Sequence, residues 1–449
     1  MRSIINAAAG NTPQRIQAID TLRGIAVLGI LLLNIVSFSL PRAYIDPSVY
    51  GGYLGWNLTA FGITHLFFEG TMRGLFSLLF GASVLLLTGD WRRATAPQDM
   101  ADLYYRRMIW LFLFGIMHAW LFLWFGDVLY WYALAGMFLY PLRKMQARWL
   151  MVIGVLLLAT LIPRSIIKVV DASTTEREAQ AAELRLNEGH ELSQQEQNAL
   201  EHWADIQRWR KPDSTEVQRQ IDALRGGYLS VFSELKPTII AYQSTILYRG
   251  GFFDALGMML LGMALLKTGV LTAERSRQFY ARVALAGIGI GLSVNALELI
   301  ALVRHEFSIV AVLKWGFLGL YYDVGRVPLT LGYVGLVLWL CQLGWFQYAR
   351  RQLALCGKMA LTLYVSQSIL CAFIFYGFGL GWYGQLERAQ LYGVVLAIWL
   401  LQWLASQLWL RHYRFGPLEW LWRSLVYWQP QPMRKSPPQP LQTSSPNIY

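Results

Sequence analysis

The chain has 449 residues, 55% hydrophobic and only 15% charged, with 19 Trp, 23 Tyr, 22 Phe and a formal net charge of +12. Such a composition excludes an ordinary soluble globule and predicts an all-α, polytopic membrane protein whose constant partner is the lipid bilayer. The positive charge falls between apolar runs, where it orients spans, so no nucleic-acid partner is expected.

The first apolar run, about 22 to 40, keeps Arg23 at its mouth and Asn34 inside. At about 100° per residue the two side chains share one helical face roughly 16 Å apart, a face that should look into protein. Two readings of that face are open. Both residues border a polar cavity, or Arg23 snorkels and pairs with Asp20 while Asn34 joins two helices. The run is too long for a signal-peptide core and further spans follow, so it is expected as an uncleaved first helix.

Residues 54–70, interrupted by His65 and Glu69, read as an interfacial or half-inserted helix; the two polar residues lie one turn apart and form a candidate acid/base pair. Further spans are predicted at about 71–89, 107–125, 128–142, 148–163, 246–266, 281–302, 327–346, 359–378 and 390–410, about ten in all. Arg92, Arg93, Arg106, Arg107, Arg143, Lys144, Arg148, Lys267, Arg275, Arg350, Arg351, Arg411 and Arg414 fall in connections on one side. The opposite loops receive few, among them Arg42, Arg304, Lys314, Arg326 and Arg388. This asymmetry puts both termini in the cytoplasm.

His118 lies about twelve residues into the third span, in the outer half of the bilayer, where it is either a satisfied neutral imidazole or a proton-transfer group. Asp127, after Gly126, reads as a helix N-cap and should stand about two turns nearer the outer surface, away from His118. Four units follow from the pattern: membrane helices over 1–163, a polar helical insertion on the outer side over 164–237, membrane helices and an interfacial anchor over 238–428, and a disordered Pro/Gln/Ser-rich tail over 429–449. His190 and His202 of the insertion are expected at its surface.

Asp254, Asn295 and Glu298 are costly in lipid and should face the bundle. Lys358, Thr362 and Ser366 are spaced by four, a polar stripe with Gln367 beside it, which either lines a cavity or bonds back to its own helix. Glu419 and Arg423 form an i, i+4 pair on the anchor helix. Cys341, Cys356 and Cys371 have no metal-ligand spacing, and no metal site is expected. No internal repeat or paired broken helices of the transporter kind are visible.

Several ordered motifs carry a resemblance: Ile19-Asp20-Thr21-Leu22-Arg23-Gly24, Leu75-Phe76-Ser77-Leu78-Leu79-Phe80-Gly81, Gly115-Ile116-Met117-His118 followed by Gly126-Asp127-Val128-Leu129, Gly357-Lys358-Met359-Ala360-Leu361-Thr362-Leu363-Tyr364, and Gly416-Pro417-Leu418-Glu419. Together they resemble the YeiB-like bacterial membrane proteins, a family of unknown function distantly related to the transmembrane acyltransferases, which include O-acetyltransferases of cell-surface sugars. The likeness covers most of the membrane region and none of the insertion. In many sugar acyltransferases the first helix carries an arginine, ten residues and a catalytic histidine. Here Arg23 is followed by ten residues and Asn34, whose amide is no general base near neutral pH.

The resemblance implies a bacterial inner-membrane acyltransferase that takes acyl-CoA from the cytoplasm and an envelope acceptor from outside, with no resident cofactor. His118 is the first candidate base, His65 the second, and Asp127 joins them as a candidate catalytic group. Arg23, Asn34, Lys358, Thr362 and Gln367 are the candidate substrate-binding residues. A transporter or channel for a small polar or lipid-linked solute, lined by the same residues, is the alternative.

Overall fold

The computed structural model describes residues 13–88, 99–316 and 319–435. In chain order the helices are α1 (Pro13–Ser39), α2 (Gly55–Phe67), α3 (Thr71–Leu87), α4 (Asp99–Trp120), α5 (Leu129–Leu142), α6 (Ala147–Ala159), α7 (Leu161–Asn187), α8 (Gln194–Arg210), α9 (Ser214–Leu224) and α10 (Tyr228–Ala241). A π-helical segment (Tyr242–Gly251) leads into α11 (Phe252–Lys267), α12 (Arg277–Arg304), α13 (Ile309–Trp315), α14 (Tyr322–Leu343), α15 (Gln347–Lys358), α16 (Ala360–Phe375), α17 (Arg388–His412) and α18 (Pro417–Tyr427). The expected all-helical, multi-pass architecture is what forms.

Among the described residues seven helices are long and apolar enough to cross a bilayer, and the pair α15/α16, bent by 77°, makes an eighth. The difference from about ten lies at 107–125 and 128–142. There α4 carries Arg106 and Arg107 in its first half and α5 has only 14 residues. The lead-in expected over 54–70 is not a separate interfacial helix: α2 continues into α3 as one candidate span, Gly55–Leu87, past the left-handed Gly70 at φ 65°. The bend at α15/α16 is a broken helix that the apolar pattern did not reveal, and it ends the expected stripe, because Lys358 closes α15 while Thr362 and Ser366 belong to α16. Arg92 and Arg93 lie outside the described residues.

α1 runs through the core, with Leu22, Ala26, Val27, Leu31 and Ile35 fully buried against α3, α15, α16 and α17. Its crossing with α15 is set by two glycines. A Cβ on Gly24 would stand 2.0 Å from the Leu353 carbonyl oxygen, and one on Gly357 1.9 Å from that of Asp20. Backbone meets backbone there, which explains why glycine recurs in both motifs. By contrast α12 and α17 turn large apolar residues outward, Leu285 at 79% and Leu396 at 62% exposure, as lipid-facing helices do.

The polar insertion grows from a span without interruption, since α6 and α7 together make one candidate helix over Ala147–Asn187. A capping box of Ser193 and Glu196 starts α8, and the Asp213 side chain caps α9. α9 lays Val217, Ile221 and Leu224 onto the membrane core, so the insertion shares that core. His190 and His202 are exposed, as expected. The disorder expected from residue 429 is not what 429–435 show: Arg414 N–H donates to Met433, Lys435 N–H to His412, and Tyr413 and Arg434 pair antiparallel. Residues 436–449 lie outside the described part.

Candidate functional site

α4 ends at Trp120, and the chain turns through Leu123 in the left-handed region at φ 56° before α5 begins. That turn folds Asp127 back beside the last turn of α4. His118 Nδ1 therefore lies 2.7 Å from Asp127 Oδ1, while Asp127 Oδ2 accepts the Tyr130 N–H at 2.8 Å. The expected two-turn separation is overturned; the N-cap position itself is Val128, and Asp127, one residue before it, bonds the Tyr130 amide in the way a cap would. A carboxylate only accepts, so Nδ1 carries the proton. Gly115, one turn before His118, makes the approach possible, since a Cβ there would stand 2.3 Å from Tyr130 N and 2.8 Å from Asp127 Oδ2. His118 is 1% exposed, its Nε2 has no hydrogen-bond partner, and its ring stands edge-on to Tyr364 with centroids 5.0 Å apart.

Asp127 faces a cavity of about 530 Å³, within the usual size for a small-molecule site. Asn34, Glu69, Arg73, Trp131 and Tyr242 share its wall, and the insertion contributes Arg210 and Glu234 from above. His118 stands behind Asp127 and is not part of the wall, and neither is Arg23. The common cavity expected for Arg23 and Asn34 thus holds for Asn34 alone: at one end of a core-spanning helix, Arg23 stays at the opposite face, its Nη1 2.9 Å from Asp20.

Beside the cavity, α3, α11 and α14 exchange charges. Arg73 lies 3.2 Å from Asp254 Oδ2, Arg326 2.5 Å from Asp254 Oδ1, and Arg326 also donates to Asp323. Arg73 reaches the Tyr322 hydroxyl at 3.1 Å. Two arginines and two aspartates neutralise one another away from water, which such charges need. Asp254 was expected inside the bundle; Arg326 and Arg388 were read as outer-loop charges, yet each is 1% exposed. The signal for Arg73 and Arg326 was present, an arginine within an apolar run, but a topology count treats every arginine as a loop residue.

His65 pairs with Glu298, Nε2 to Oε2 at 3.5 Å, and not with Glu69, whose partner is the Tyr44 hydroxyl at 3.2 Å. One turn of helix separates the two residues in sequence, but α12 supplies the nearer carboxylate. Asn295, also buried, donates to the Leu66 carbonyl. His65, Glu69 and Arg388 border a second, small chamber of about 10 Å³, room for about one water.

At the opposite face the remaining candidates are structural ties. Glu419 accepts the Leu361 and Thr362 N–H groups at 2.7 and 3.1 Å and the Thr362 hydroxyl at 2.5 Å, capping α16 from α18. Gln367 donates to the Val27 carbonyl and to Gln402, joining α1, α16 and α17. Thr362 and Gln367 are thus not in the cavity. Burial pushes the Glu419 carboxyl up. Lys358 stands in the field of Asp20, and Arg23, Arg107 and Arg423 lie within electrostatic reach of one another.

Residues 265–429 match the family described as a protein of unknown function, DUF418. The chain is 30% identical over 430 residues to the uncharacterized protein YxaH of Bacillus subtilis (strain 168), covering 93% of this chain and 96% of the relative. The chain belongs to this family. The uncharacterized protein YeiB of Escherichia coli (strain K12) is 29% identical over 432 residues, 92% of this chain and 96% of that protein. No solved structure matches. The DUF418 match itself covers α12 to α18 and so includes Gly357, Lys358, Thr362, Gln367 and Glu419; Asn34, His118 and Asp127 fall in the half matched through the full-length relatives.

Proposed function

We propose that this chain is a multi-pass protein of the bacterial inner membrane that moves an acyl group from a cytoplasmic acyl-CoA to a hydroxyl or amine of an envelope acceptor. The observation that carries the reading is the hydrogen-bonded His118–Asp127 pair, whose aspartate lines a cavity of about 530 Å³. Asp127 meets the acceptor and takes its proton, while His118 positions the carboxylate from behind. The freed oxygen or nitrogen attacks the thioester carbonyl, the new bond forms as the C–S bond breaks, and the proton leaves with the coenzyme A thiolate. The Asn34 amide, on the same wall, can donate to the developing oxyanion. Arg23, Arg107, Arg423 and Lys358 at the inner face suit the donor phosphates.

The test is transfer of labelled acyl groups from acyl-CoA to envelope acceptors in vesicles. Wild-type protein is expected to transfer, His118→Ala and Asp127→Ala to fail, and His190→Ala and His202→Ala to work normally. Absence of transfer by the wild type over a broad acceptor panel overturns the reading. It would favour the second one, passage of a small polar or lipid-linked solute, for which the buried Arg73–Asp254–Arg326 lattice beside the cavity and the bent α15/α16 pair speak.

A further inference from the structure

Four basic side chains from three segments converge where the insertion meets the membrane helices. Lys168 of α7 stands in the field of Arg164, one turn before it, of Arg210 at the end of α8, and of Arg249 in the π-helical segment. Arg164 donates to the Arg249 carbonyl at 2.7 Å and lies over the Phe253 ring at 4.7 Å, which ties α7 to the π-helical segment and to the start of α11. None of the four forms an ion pair among the described residues. The other arginines of the cavity wall do: Arg219 binds Glu234 at 2.8 Å, Arg73 binds Asp254, and Arg42 lies 4.0 Å from Glu216. Arg210 is the arginine of the wall left without a carboxylate.

Like charges held together without counter-charges oppose folding unless an anion joins them. The height of the cluster says which kind. On α7, Ile166 and Ile167 stand between Arg164 and Lys168 with 46% and 67% of their surface exposed, so bilayer hydrocarbon reaches this level of the helix. Lys168 and Arg249 are exposed beside it, and Arg210 continues the charge into the cavity. We propose that this cluster is a binding site for the phosphate of a net-anionic membrane lipid headgroup, entered from the side, with Arg210 guiding the headgroup toward the cavity. The site stands whether or not acyl transfer occurs.

The experiment measures binding to the purified full-length protein in neutral detergent, with dioctanoyl phosphatidylglycerol, dioctanoyl phosphatidylcholine and glycerol 3-phosphate as probes. The anionic lipid is expected to bind best. Loss of one charge-assisted contact in Arg210→Gln or Lys168→Gln should weaken it about tenfold or more. Arg210→Lys should restore most of it, and Arg185→Gln, whose arginine is paired with Glu196, should change nothing. Lys168 is exposed, so Lys168→Gln leaves packing intact and keeps the test decisive if Arg210→Gln fails to fold. Glycerol 3-phosphate binding as tightly as the lipid, with the same variant pattern, would support the phosphate site and assign it a soluble source. Unchanged affinity in Lys168→Gln, or equal binding of the two lipids, would overturn the proposal.

Discussion

His118 and Asp127 are nine residues apart in sequence and 2.7 Å apart in space because the chain reverses at Leu123 and Gly115 leaves room for the returning turn. A buried imidazole facing a buried carboxylate is a pair in which neither member can be removed cheaply. Asp127→Asn keeps one of the two bonds, its amide oxygen accepting from Nδ1 while its NH2 faces the Tyr130 N–H, so it should cost about 1 kcal/mol of stability and reduce acyl transfer by about 10²-fold or more. Asp127→Ala should add a stability loss of about 3 kcal/mol from the unpaired imidazole and Tyr130 N–H. Thermal melting and transfer rates on both variants separate the two effects.

The α1/α15 crossing gives a steric prediction. With backbone oxygens at 2.0 and 1.9 Å from the new atoms, neither Gly24→Ala nor Gly357→Ala can be absorbed by a side-chain shift. Each should cost more than the ~1–3 kcal/mol of ordinary overpacking. Gly289→Ala and Gly393→Ala, where a Cβ meets nothing within 4 Å, should be neutral. Size-exclusion profiles of detergent-solubilised protein after graded heating read the difference.

The charge lattice should respond asymmetrically. Arg326→Leu leaves Asp254 and Asp323 short of a cation and is expected to destabilise by about 3–5 kcal/mol, whereas replacing the arginine and Asp323 together should recover much of that loss. A double-mutant cycle in thermal stability measures the recovery; strictly additive losses would contradict a coupled lattice.

In the insertion, Arg219 donates to both Glu216 and Glu234 at 2.8 Å, and its hydrogen bonds hold the Glu216 carboxyl below the usual carboxylate range. A depressed carboxyl stabilises the fold above its unfolded value, and that contribution is lost as pH falls through the folded one. Protection of the α9 and α10 amides, as exchange relative to the intrinsic rate at each pH, should therefore fall on acidification through the carboxylate range while that of α1 stays high. Both carboxylates are on the outer part of the molecule, so the effect is modest.

Orientation has its own check. The arginine asymmetry predicts that reporters fused at Gln195 and after Tyr449 report opposite sides of the membrane. Agreement between the two reporters would overturn that topology.

The class of fold was legible because apolar run length and arginine placement are local properties of the chain. What escaped was decided by partners distant in sequence. His65 stands 3.5 Å from Glu298 instead of pairing with Glu69, and Thr362 answers to Glu419 of α18; neither choice has a periodic signature. A helix continuing past Trp120 would carry Asp127 about two turns higher, but the left-handed Leu123 reverses the chain. Arg326 was misplaced for the converse reason: a count of charges cannot tell a loop arginine from one whose aspartates lie in the same bundle. Asn34 lines the cavity because the facing of one regular helix suffices to aim it there.

The cap that Glu419 sets on α16 has a consequence for biogenesis. The first amides of α16 emerge from the ribosome long before Glu419 exists, and until then Leu361 and Thr362 have no carboxylate to bond. The broken span can therefore settle only after the last helix has been synthesised and has swung back beneath it. A chain cut short before Pro417 would still lack the carboxylate that closes that joint.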